Sequence, residues 1–160
     1  MTTNELAEYG MVHMDDDEIG GFLTSQSVGV LCFPAKEAPS MRPMSYWYDG
    51  EDSLYFLYVL GSNSRKESLS RRADTVRFLV YRADSAFKWQ SVLLTGSISE
   101  VVESERDAVL DAAEMKWRPE LFERASESEN TGLYRLQIDR QDGIKHSELP
   151  PGFEGDAKSE

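Results

Sequence analysis

The chain has 160 residues, room for one domain with its own core and not for two. Hydrophobic residues make up 40% and charged residues 29%, a globular composition, and no apolar run approaches the roughly 18 residues that a membrane-spanning helix needs. A net charge of -12 repels nucleic-acid backbones and anionic lipid, so neither is an expected partner.

The opening residues, MTTNELAEYG, carry neither the basic start nor the apolar stretch of a signal peptide, which makes the cytoplasm the expected compartment. Residues 1–13 read as a flexible arm. Asp15 to Ser25 reads as a short helix. Its acids fall in the first turn, where the helix dipole favours them, and Ile19, Phe22 and Leu23 recur at helical spacing. Ser27 to Phe33 is a β-branched, apolar run stopped by Pro34, a first strand. Cys32, the single cysteine, lies in it. It rules out an internal disulfide or a cysteine metal cluster, and it suits a small buried hydrophobe.

Pro34 to Ser40 reads as a loop. Met41 to Asp49 reads as a second strand, with Pro43 marking an edge or a bulge. Asp49-Gly50 is a hairpin signal into a third strand, Ser53 to Leu60. Gly61 to Asn63 break that strand, and Arg65 to Arg72 make a short basic helix. Thr75 to Arg82 is a fourth strand, with Val76, Phe78 and Val80 on one face. Trp89 to Val102 is a long fifth strand bent near Gly96. Ser104 to Met115 reads as a helix with Ser104 as N-cap and Asp107 completing a box of the capping type. Glu120 to Ala125 reads as a further turn, and Thr131 to Asp139 alternates as a final strand. The tail, residues 148–160, holds Pro150, Pro151 and Gly152 and reads as disordered. The folded domain is thus expected over 14–147. Six strands with short peripheral helices predict an α+β fold with a mostly antiparallel sheet, and strands this regular in so short a chain favour closure into a barrel.

Charge is unevenly placed. Acid runs at Asp15 to Glu18, Glu103 to Asp107 and Glu123 to Glu129, with eleven arginines to six lysines, resemble the surface of a halophilic protein. Between Ser62 and Gln90 the sign reverses. Arg65, Lys66, Arg71, Arg72, Arg77, Arg82 and Lys88 face only Glu67, Asp74 and Asp84, a window of +4. At its start, Ser64-Arg65-Lys66 joins a hydroxyl and two cations to a helix N-terminus, a combination suited to a phosphate. The alternative is a solvated basic helix face that pairs with the acid runs.

Other chemistry is thinly represented. His13 and His146 are far apart in sequence and outside the predicted strands, which argues against a metal site. There is no nucleophile elbow, no Walker loop and no dinucleotide fingerprint, so no catalytic residue is assigned. Tyr46, Trp47, Tyr48, Tyr55, Phe56 and Tyr58 fall on paired strands, where core packing, a ring-binding pocket or a subunit interface would each use them.

The order of segments DDDEIGGFLTSQSVGVLCF, RPMSYWYDGEDSLYFLY, SRKESLSRRADTVRFLVY and WQSVLLTGSISEV resembles the pyridoxamine 5'-phosphate oxidase-like FMN-binding split-barrel superfamily. Its nearest branch is that of the flavoproteins of nitroimidazole-resistance type. The resemblance implies a split β-barrel, FMN as cofactor and a homodimer with the cofactor at the interface. It places Arg42, Pro43, Met44 and Ser45 along the flavin ring and ribityl chain, Ser64, Arg65 and Lys66 on the phosphate, and Gln90 and Ser91 near the ring. The implied function is that of an FMN-dependent oxidoreductase acting on an unknown small-molecule substrate. Deazaflavin or haem binding, or a non-catalytic flavin-binding module, are the alternatives. Tyr55 to Tyr58 lacks the histidine that nitroimidazole-type proteins often carry. The C-terminal region lacks the basic segment of a true pyridoxamine-phosphate oxidase.

Overall fold

The computed structural model describes residues 10–34, 37–59, 75–114 and 131–146. Within these the chain runs β1 (Met11–His13), α1 (Asp16–Ser25), β2 (Val28–Phe33), β3 (Ser40–Ser45), β4 (Trp47–Tyr48), β5 (Ser53–Val59), β6 (Thr75–Ser85), β7 (Lys88–Glu100), α2 (Glu103–Glu114) and β8 (Thr131–His146). All strand pairs are antiparallel, in the order β3-β2-β6-β7-β8-β5-β4, with β1 added to the far end of β8.

β3 and β4 stand at opposite ends of that path, yet only Tyr46 separates them in the chain. The sheet must therefore curl back on itself. Interior rings record the curvature. Phe78 on β6 and Phe56 on β5 lie three strand spacings apart along the sheet, about 14 Å if it were flat. Their rings nevertheless stack at 6.2 Å. Phe56 also stacks on Tyr134 of β8 at 6.3 Å, and Tyr46 meets Phe78 edge-on at 5.6 Å. The result is an α+β split barrel.

Alternation supplies the barrel's filling. Val76, Phe78 and Val80 on β6, Val92 and Leu94 on β7, Leu54 and Phe56 on β5 are all buried inside. α1 closes one end of this core with Ile19, Phe22 and Leu23. It starts where it does because Asp15 caps it. The Asp15 carboxylate accepts from the Glu18 N–H at 2.8 Å, and Glu18 reaches back to the Asp15 N–H at 3.4 Å. α2 covers the outer face of β5 and β8, where Val101 and Val109 pack with Tyr55, Leu133, Trp47 and Leu110.

Four sequence expectations change. The second predicted strand is two strands, β3 and β4, because Tyr46 turns inward between them and passes the chain from one sheet end to the other. This and β1 bring the strands to eight among the described residues, against six expected. Met11–His13, read as the end of the arm, pairs with Ile144 to His146. The final strand runs on to His146 rather than Asp139. Ser104 is not the N-cap of α2. The Val102 carbonyl accepts from Arg106 N–H at 3.1 Å, so the helix begins at Glu103, directly after the last strand residues, and Ser104 sits inside its first turn. The predicted helix Arg65 to Arg72, the turn Glu120 to Ala125 and the tail 148–160 lie outside the described residues, as do residues 1–9 of the arm. No helix among the described residues is long and apolar enough to cross a membrane.

Candidate functional site

Pairing registers decide which way each candidate residue faces, because residues directly opposite in antiparallel strands share a face. On β3, Arg42 pairs with Leu31 and Met44 with Gly29, so both belong to the inward face. Met44 is buried and Arg42 is half-buried. Pro43 pairs with Val30 and Ser45 with Val28, on the outward face, and both are exposed. β3 ends the strand path, so one edge of its backbone has no ladder partner among the described residues. An edge strand with a proline is as the sequence suggested.

Gln90 and Ser91 divide in the same way. Gln90 pairs with Arg82 and Lys145, on the inward side. There it borders an open cleft of about 300 Å³ beside Glu18, Gly21 and Phe22 of α1. Ser91 pairs with Tyr81 and Ile144 on the outward face. The outward set thus holds Pro43, Ser45 and Ser91, with β2 and β6 between them. The inward set holds Arg42, Met44 and Gln90. Ser64, Arg65 and Lys66 lie outside the described residues.

The outward face of β3, β2, β6 and β7 is apolar along one row, Pro43, Val30, Leu79 and Leu93, in continuous register. Val28, Met41 and Tyr81 on the same face are 53%, 67% and 57% exposed. No described element covers this surface, whereas α2 covers the corresponding face of β5 and β8. Cys32 is half-buried on it, between Met41 and Arg77, rather than fully enclosed.

Both histidines lie in strands. His13 pairs with Ile144 and is exposed. His146 is buried at the end of β8. Its Nδ1 is 2.7 Å from the Phe87 carbonyl, which makes that nitrogen the donor, and its ring stacks on Trp89 at 5.7 Å. The sequence pattern ends the last strand at Asp139, which puts His146 outside it and gives no signal for its neighbour Lys145.

The acids gathered at the β4–β5 turn serve the turn itself. Asp49 Oδ1 accepts from the N–H groups of Glu51 at 2.8 Å and Ser53 at 3.1 Å. Gln137 and Ser53 donate to Asp52 and hold its carboxyl below the usual carboxylate range.

Residues 15–145 match the family model described as Pyridoxamine 5'-phosphate oxidase. The chain belongs to this family. No curated protein matches it significantly. Among solved structures it is similar to an FAD-binding protein from Mesorhizobium loti, with 21% identity, a TM-score of 0.63 and coverage of 86% of this chain and 99% of that one. It is similar to the FAD and heme binding protein from Mycobacterium smegmatis, with 14% identity, a TM-score of 0.70 and coverage of 92% and 78%. It is also similar to the flavocytochrome Anf3 from Azotobacter vinelandii, with 19% identity, a TM-score of 0.67 and coverage of 91% and 74%. At these identities the likeness is one of fold, and it agrees with the curled antiparallel sheet. The four segments that carry the sequence resemblance all fall within the family match, which begins at Asp15, the residue that caps α1.

Proposed function

We propose that the chain is a flavin-binding protein that holds FMN at the interface of a homodimer and acts as an oxidoreductase on a small molecule. The observation that carries this reading is the family match over residues 15–145, taken with an apolar sheet face that no described element covers and that ends at strand β3. The described part of the site fits a flavin ring. Ser45 offers a hydroxyl, Pro43 a flat apolar contact, and β3, which ends the strand path among the described residues, backbone groups that can meet the polar rim of a ring. Ser64, Arg65 and Lys66 would hold the phosphate by charge-assisted hydrogen bonds.

When bound, a flavin supplies the redox chemistry, so the protein has only to position it and control access. That division of labour suits a chain in which no acid–base dyad or activated nucleophile was assigned. Arg42 and Gln90, on the inward side, act through the strands that carry Pro43, Ser45 and Ser91 rather than from the same face. A second copy seated on the apolar face would exclude water from the outward set.

Titration of the purified protein with FMN, followed by flavin fluorescence, tests the reading. Saturable binding that Arg65→Ala with Lys66→Ala abolishes, with the circular dichroism spectrum unchanged, supports it. Equal FMN affinity in wild type and double variant sinks the phosphate assignment. The names of the Mesorhizobium and Mycobacterium proteins favour a second reading, FAD in place of FMN. Acid release of the bound cofactor and chromatography separate the two. Reduction of the bound flavin by a nicotinamide donor tests the oxidoreductase reading, and failure with every donor leaves a binding module.

A further inference from the structure

The phosphate motif uses only the first part of the basic window, and the structure shows where two of the remaining cations go. Arg82, near the end of β6, and Lys88, at the start of β7, flank one hairpin turn. Lys145 joins them from β8, more than fifty residues later in sequence. Arg82, Gln90 and Lys145 lie in one transverse row, so the two cations stand two strand spacings apart, about 10 Å, with the Gln90 position between them. The register slips between Ala83 and Ser85, and the bulge brings Asp84 to the same rim.

These side chains line a small cavity of about 80 Å³. Among the described lining residues, three cations against one carboxylate, Asp84, give +2 in a chain of -12. Asp84 is engaged by Arg82 at 3.2 Å. Glu18 of α1 pairs with Lys145 from outside the lining. Lys88 makes no ion pair among the described residues. The other wall is flat and apolar. Trp89 lies against His146 at 5.7 Å with 27° between the rings, and the Phe87 carbonyl fixes the imidazole. The cavity is too small for a nucleotide, since whole-ligand pockets run to about 300 Å³ and above. It has room for one oxyanion head.

We infer that this hairpin end binds the carboxylate of a small aromatic acid. The head sits between Lys88, Arg82 and Lys145, and the ring lies along Trp89. Charge-assisted hydrogen bonds hold the head, and stacking on the indole selects the ring. Among the described residues, Gln90 alone is common to this cavity and the proposed flavin site.

Benzoate is the probe, titrated into the full chain and followed by tryptophan fluorescence and by amide shifts of Lys88, Trp89, Lys145 and His146. Saturable binding centred on those amides is expected. Lys88→Ala combined with Arg82→Ala is expected to weaken it at least about tenfold, the scale of a lost charge-assisted contact. Lys88→Arg is expected to retain it. Benzamide, the uncharged analogue, and inorganic phosphate, which has no ring, are expected to bind more weakly than benzoate. Benzoate affinity unchanged in the double variant overturns the proposal. So does benzamide or phosphate binding as well as benzoate, and so do shifts confined to other residues. FMN titration of Lys88→Ala separates this site from the flavin reading, since FMN affinity is expected to stay unchanged there.

Discussion

The hydroxyl of Tyr46 donates to the carbonyl of Leu23 across 2.7 Å, inside the barrel. Leu23 belongs to the last turn of α1, and Tyr46 is the residue that carries the chain from β3 to β4. A second bond, Tyr46 N–H to the Ser27 carbonyl at 2.9 Å, ties the same crossing to the start of β2. Helix, crossing and sheet end thus meet at one residue.

Tyr46→Phe keeps the ring against Phe78 and removes only the hydroxyl. The Leu23 carbonyl then loses this buried donor, at a cost of about 1–3 kcal/mol. Burial also raises the Tyr46 phenol above its ordinary value. The folded state therefore keeps this proton while the unfolded chain releases it. Its contribution to stability is complete below about pH 10, the unfolded value, and declines as pH rises above that. Urea midpoints are expected to be lower for the variant at pH 7 and to fall less steeply between pH 10 and 11. A parallel decline in both proteins would remove Tyr46 from the alkaline limb.

Gly96→Ala tests the bend in β7. A Cβ there would stand 1.9 Å from the Gln137 carbonyl oxygen, which is backbone on the neighbouring strand and cannot rotate away. Overpacking of this kind costs about 1–3 kcal/mol, and a backbone clash belongs at the upper end. The thermal midpoint is expected to fall by several degrees with native-like circular dichroism. A neutral substitution would mean that β7 and β8 can part at the bulge freely.

The same bulge explains what could and could not be read along the chain. Val76, Phe78 and Val80 alternate without interruption, so β6 and its inward face were plain. β8 changes phase. Leu136 and Ile138 pair inward with Ile98 and Gly96, and beyond the slip the inward positions are Gln141 and Gly143, opposite Leu94 and Val92. The run Asp139-Arg140-Gln141-Asp142 therefore looks like a loop, although it is ladder. β1 was hidden for a related reason: three residues cannot show a period, and only the far half of β8 gives them a partner. The split of β3 from β4 was equally silent, because Tyr46 fits an unbroken strand as well as a crossing. The β3 and β7 candidate segments were legible as family motifs, but adjacent residues leave a strand on opposite sides. Sequence alone could not divide Pro43 and Ser45 from Arg42 and Met44, nor Ser91 from Gln90. The cavity at the hairpin end depends on β6, β7 and β8 converging, which no local pattern announces.

Asp15→Ala removes the acceptor for the Glu18 N–H and leaves the first turn of α1 without its side-chain cap. A lost N-cap costs about 0.5–2 kcal/mol. The Glu18 carboxylate keeps the backbone N–H of residue 15, which alanine retains, and its pairing with Lys145 on β8 remains, so α1 stays docked over the barrel. Equilibrium unfolding is expected to show a reduced midpoint with an unchanged denaturant slope. Asp15→Asn, which keeps an acceptor at the cap, is expected to recover most of the loss. Equal midpoints for Ala and Asn would mean that the carboxylate's charge at the helix N-terminus, not the cap bond, is the stabilising term.

The apolar outward face gives the sharpest test of the proposed dimer. Val28 and Tyr81 stand exposed beside the row Pro43, Val30, Leu79 and Leu93, and a second copy would have to cover them together. Val28→Asp with Tyr81→Glu puts two like charges onto that surface without touching the interior, where Leu31, Phe78 and Val80 lie. Buried and unpaired, each charge is strongly unfavourable, and a symmetric interface meets every change twice. Light scattering is expected to report a dimer for the wild type and a monomer for the double variant, with the fold intact by circular dichroism. FMN affinity is expected to fall with dimerisation, since Pro43, Ser45 and Ser91 open on the same face. A wild type that is monomeric at micromolar concentration would sink the shared-interface reading. FMN binding retained by the monomeric variant would place the cofactor away from that face.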